Sequence, residues 1–219
     1  MKRTLLALLI ACSFAVPAFA DDDIDKVNGS IQVADAATAG KLTTVNGGIH
    51  VGANAHARSA ETVNGGIEVG TGATLDSVET VNGGLRLGSN VKIAKGVSTV
   101  NGGINLGSGA DIAGKLSNVN GGIKLEAAHV GGGIETVNGD MTIGANSRVE
   151  GGIFVDENHS MFNWGSHKPR IVIGPHAVVQ GTLKFKREVE LYVSDSATIG
   201  TVEGATPQKF SGDAPPPQG

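Results

Sequence analysis

The sequence has a single cysteine, Cys12, and no proline between Pro17 and Pro169. Cys12 lies in a segment, residues 1–20, that reads as a signal peptide. Lys2 and Arg3 supply the charged start, Leu5 to Val16 the apolar stretch and Ala18-Phe19-Ala20 a small-residue cleavage site. A mature chain beginning near Asp21 has no thiol, which excludes disulfides and cysteine chemistry. Leu9-Ile10-Ala11-Cys12 also resembles a lipoprotein processing box, a minor alternative that would leave the protein anchored through Cys12. The proline-free stretch permits a ladder in which every backbone N–H is used.

Aromatic residues make up only 4% of the chain, which argues against a conventional core of large side chains. Basic residues are also few. Lys and Arg number 17 against 21 Asp and Glu, and loss of Lys2 and Arg3 leaves 15 against 21, a formal charge of −6. Nucleic acid and anionic lipid are poor partners for such a chain. No apolar run exceeds Leu5 to Val16, which is shorter than the roughly 20 residues of a membrane helix, so no membrane span is expected. The expected location is the periplasm or cell surface of a Gram-negative-type bacterium, and nothing in the sequence implies a cofactor.

What is abundant is glycine, 34 of 219 residues, and it recurs in a pattern. Asn28, Asn46, Asn64, Asn82, Asn101, Asn120 and Asn138 each follow valine and precede glycine, at intervals of 18 or 19. Self-similarity at this period is the mark of a solenoid. Within the copy Ile67 to Val81, the positions read as inward are Ile67, Val69, Ala73, Leu75, Val78 and Val81. Their alternation within short runs is strand periodicity. Corners are expected at Gly70-Thr71-Gly72, Asp76-Ser77 and Asn82-Gly83-Gly84, the last suited to positive φ.

The expectation is an all-β, single-stranded triangular solenoid of about nine coils, with the seven asparagines stacked in a hydrogen-bonded column. A lone coil should not fold, since it shares its core and its ladder with its neighbours. Ala39 and Ala57 stand where Leu75, Ile93 and Ile112 stand later, so the N-terminal coils should be thinner. The repeat solenoid is assigned to residues 21–150, and further coils to 151–206 with an inserted loop at 156–170. Residues 207–219, with Pro215-Pro216-Pro217, read as a disordered tail.

Several groups invite a chemical reading. His159, Trp164 and His167 in the inserted loop suggest a glycan or metal site, although their spacing matches no established metal motif and capping of the solenoid flank explains them as well. The run Asp21-Asp22-Asp23 reads as a solvated terminus rather than a calcium site. Thr44, Thr62, Thr80, Thr99 and Thr136, broken once by Asn118, form a column expected to point outward, which raises ice binding as an alternative. Phe185, Tyr192 and Phe210 mark the C-terminal end as a cap or self-association surface. No histidine stands out as catalytic, and no enzyme is expected.

Two family resemblances accompany this pattern. Glu61-Thr62-Val63-Asn64-Gly65-Gly66-Ile67-Glu68-Val69 resembles the repeats of the toastrack-type adhesin family, over roughly Val27 to Gly144. Ile171 to Gly200 is similar to bactofilins, polymer-forming proteins whose triangular solenoids join end to end. The second resemblance implies right-handed winding, whereas the repeat itself allows either hand. Together they imply an exported, non-enzymatic structural protein with a homo-polymer, the cell envelope or a glycan surface as partner. The remaining alternatives are ligand binding through residues 156–170 and ice binding.

Overall fold

The computed structural model describes residues 22–157 and 168–216. All described secondary structure is strand, and every pairing between strands is parallel. One side of the solenoid is a sheet of 10 strands in chain order, from Ile31–Val33 and Ile49–Val51 through Ile104–Leu106 and Met141–Ile143 to Glu190–Ser194 and Gln208–Phe210. The chain is thus a β-solenoid of about ten turns, one more than the repeat count suggested.

The other two sides form a second sheet of 15 strands. In the N-terminal coils each turn crosses both sides as one nine-residue strand, such as Thr74–Asn82. The corner expected at Asp76-Ser77 therefore bends a strand without ending it. Only Asp76 and Ser77 separate the buried Leu75 from Val78, too few for the strand to be interrupted. An extra residue then enters beside Gly96, where the register shifts between Leu75 and Ser77 of the neighbouring strand. After Lys92–Asn101 the sheet forks, and Asp111–Ile112 and Leu116–Asn120 lie on separate sides. The three-sided coil is clearest from here on.

Ile67, Val69, Ala73, Leu75 and Val78 are buried as expected, but the sixth inward residue is Thr80 and not Val81. The same reversal holds in the copies around Asn46, Asn64, Asn101 and Asn120, the last with Asn118 in place of threonine. Thr44, Thr62, Thr80, Thr99 and Thr136 are at most 5% exposed, whereas Val45, Val63, Val81, Val100 and Val119 face solvent at 37–40%. The cause is a hydrogen bond to the preceding coil. Thr44, Thr62, Thr80 and Thr99 donate from Oγ1 to the carbonyl oxygens of Gly29, Gly47, Gly65 and Gly83 at 2.9–3.1 Å. Threonine matches valine in shape and adds a donor that ties each coil to the half-buried or exposed corner carbonyl before it. The threonine rank presents no outer surface, which removes the basis for ice binding.

Glycine at the Asn-Gly corner is needed for close approach more than for dihedral freedom. A Cβ on Gly65 or Gly83 would lie 2.0 Å from the carbonyl oxygen of the corner before it. Of that column only Gly29 and Gly121 have left-handed φ, and none of the seven asparagines does. The left-handed column lies instead at the opposite corner, in Ala36, Asn54, Gly72, Asn90, Gly109, Ala127, Asn146 and His176. Asparagine tolerates this region, while alanine there is strained.

The core tapers as expected, because Ala39 and Ala57 stack directly below Leu75 and Ile93. The coil containing Ala55, Ala57 and Ala60 is the thinnest. The copy around His129 holds its register, with Val130 on Ile112 and Ile134 on Leu116. Residues 207–216 are not the featureless tail expected, since Gln208–Phe210 pairs with Glu190–Ser194 as the tenth strand. Its backbone continues the ladder and Phe210 is buried, which fixes it to the last turn.

Candidate functional site

The seven asparagines form an unbroken ladder. Asn46 Nδ2 donates to Asn28 Oδ1 at 3.0 Å, and the same bond repeats through Asn64, Asn82, Asn101 and Asn120 to Asn138, which donates to Asn120 at 3.1 Å. Each amide oxygen is used by the asparagine above it, so the last one, on Asn138, needs another donor. Val155 stacks on Thr136 and Phe185 on Val155. Two residues further along each copy, Glu157 and Arg187 therefore hold the column positions of the next two coils. Arg187 reaches back past the insertion, and its Nη1 donates both to Asn138 Oδ1 and, at 3.0 Å, to the carbonyl oxygen of Val137.

The same region holds the base of the insertion. Lys186 pairs with Asp156 at 3.0 Å and sits 5.1 Å above the Phe154 ring, while Lys168 pairs with Glu188 at 2.8 Å. The hydrogen bond and charge of Lys168 hold the Glu188 carboxyl below its ordinary range, and Glu188 raises the Lys168 ammonium in return. His159, Trp164 and His167 lie outside the described residues. Cys12, the signal segment and Asp21 do too. Asp22 and Asp23 are described: the Asp23 carboxylate accepts from the Lys41 amide at 2.7 Å and faces Arg58 at 3.6 Å.

A second feature lies on the outer face of the ten-stranded sheet. A groove of about 740 Å³ is lined by Asp140, Thr142, Arg170, Val172 and His176 and partly filled by Ala214 and Pro215 of the returning C-terminal segment. Arg170 stacks on Tyr192 at 4.7 Å, its amide donates to Asp140 at 2.8 Å, and its Nη2 donates to the Pro216 carbonyl. Tyr192 is thus half-covered by an arginine. Phe185 and Phe210 are buried at 5% and 6% exposure, so they close the core and turn no aromatic surface to a partner.

A third group was missed in the sequence although the repeat contains it. Asp111, His129 and Arg148 are register neighbours on successive coils. His129 Nδ1 lies 2.6 Å from Asp111 and its Nε2 3.5 Å from Glu150, which also accepts from Arg148 Nε at 3.0 Å. Arg148, and His129 with it, lowers the Glu150 carboxyl. Aligning copies at 18 or 19 residues would have found this row, whereas Arg187 falls beyond the insertion, where the spacing no longer points to it.

Among the described residues no three His, Cys, Asp or Glu side chains are gathered as a metal site. No helix among them is long and apolar enough to cross a membrane. The site geometry is therefore that of side chains bonded from coil to coil, with one basic terminus and one tail-lined groove. No family model, curated protein or solved structure matches this chain.

Proposed function

We propose that this chain is an exported, non-catalytic structural protein of the bacterial envelope, acting as a stiff rod that joins other copies or surfaces through its ends. The observation that carries this reading is the asymmetry of those ends. At the N-terminal end, Ile24–Asn28 and Ile31–Val33 each pair with a strand on one side only, leaving an open edge among the described residues. An unpaired edge is a template for a further strand. At the other end Thr198–Ile199, Val202–Glu203 and Gln208–Phe210 also pair on one side only, but these strands are only two or three residues long, Phe210 is buried and the following residues fold back over the sheet.

The interior supports a scaffold. Polar side chains with regular spacing are spent on bonds between coils, which stiffen the rod along its axis. The signal segment supports export, and the resemblances support assembly or adhesion. Negative-stain electron microscopy of the mature chain tests the proposal. Filaments that lengthen with concentration support it, and monodisperse short rods at high concentration sink the assembly reading.

A further inference from the structure

We propose that Asn138-Gly139 is a site of selective spontaneous deamidation in the folded protein, set apart from six Asn-Gly pairs of the same repeat by a glycine amide that has no acceptor among the described residues and by a cationic partner on the asparagine oxygen. Asn-Gly is the dipeptide most open to this reaction, because glycine has no Cβ to hinder attack. The backbone nitrogen of glycine bonds to the asparagine Cγ, the Cγ–Nδ2 bond breaks, and ammonia leaves carrying the proton of the glycine amide. Water then opens the cyclic imide at either carbonyl. The products are aspartate and isoaspartate, and the net change is an amide and a water converted to an acid and ammonia.

The fold disarms six of the seven pairs. The N–H groups of Gly29, Gly47, Gly65, Gly83, Gly102 and Gly121 each donate to the asparagine carbonyl of the next coil at 2.8–3.1 Å. A nitrogen held in that ladder is aimed along the axis and cannot turn toward its own neighbour's Cγ. Each of the six asparagine oxygens accepts from a neutral amide.

The seventh pair differs on both counts. Glu157 stands where the next asparagine of the column would be, and among the described residues nothing accepts from the Gly139 N–H although Gly139 is buried. Buried backbone donors without partners are rare. Asn138 Oδ1 accepts from the Arg187 guanidinium. A cationic donor on that oxygen draws electron density from Cγ and stabilises the oxyanion formed by attack. Packing also retains the labile pair, because a Cβ at position 139 would lie 1.9 Å from the Gly121 carbonyl oxygen. The product carboxylate would face Arg187 as a charge-assisted pair, while Asn120 loses its donor.

The test is peptide mapping by mass spectrometry of the mature chain aged in mildly alkaline buffer, folded and in denaturant. Folded protein is expected to convert Asn138 at least about tenfold faster than any of the other six. In denaturant all seven should convert at comparable rates. An even spread in the folded state, conversion concentrated at Asn28, or none at Asn138 overturns the site. In the variant Arg187→Gln, conversion at Asn138 should slow several-fold, and an unchanged or faster rate overturns the part assigned to Arg187.

Discussion

Arg187 donates to the amide oxygen of Asn138 from the position that the asparagine column itself would occupy two coils later. One side chain thus closes a ladder that the insertion cut short. Replacing Arg187 with methionine keeps most of its packing and removes its donors to Asn138 and Val137. The expected loss is about 1–2 kcal/mol, read from the midpoint of urea unfolding. An unchanged midpoint would show that the bonds add nothing net.

The inward threonines make a paired prediction. Thr80→Val leaves the Gly65 carbonyl without its donor at almost constant volume, and should cost about 1–3 kcal/mol. Val81→Thr, at an exposed position of similar size, should change stability by less than about 0.5 kcal/mol. Asn118 breaks the column: its Nδ2 takes the Gly121 carbonyl, while its own Oδ1 and the Thr136 hydroxyl are buried without partners. Asn118→Thr should restore the pattern and raise thermal stability.

How much of this was legible beforehand depends on what decided each position. Leu75 and Val78 were readable because alternation and apolarity agree. Thr80 and Val81 were exchanged because both are β-branched and alike in size, so local pattern cannot rank them. The deciding partner is a carbonyl 15 residues earlier, on another coil. The asparagine ladder was readable from period alone, whereas Arg187 lies outside the repeat and His129 gains its partners only when copies are stacked.

Two backbone substitutions should act in opposite directions. Gly65→Ala forces a Cβ to within 2.0 Å of a carbonyl oxygen, and the corner must open, lowering the melting temperature markedly. Ala127→Gly relieves a φ of 45° that alanine adopts at a cost, and should stabilise by about 1 kcal/mol. Equal effects at the two positions would contradict the division between close approach and dihedral demand.

The pair Lys168 and Glu188 predicts a pH dependence. Glu188 is lowered by Lys168, so its contribution is present above the ordinary carboxylate pKa of about 4 and is lost as pH falls through the lower folded value. The melting temperature of Glu188→Gln should therefore lie below that of the parent at neutral pH and converge with it in acid. Both groups are exposed, so the difference should also shrink in high salt.

Each amide in the asparagine column points its N–H toward the N-terminal end and its carbonyl toward the C-terminal end. Their dipoles add, as peptide units do along an α-helix. The solenoid thus carries a macrodipole built from side chains, positive at Asn28 and negative at Asn138. Arg187 stands at the negative pole, the place a basic residue takes at the C-terminus of a helix.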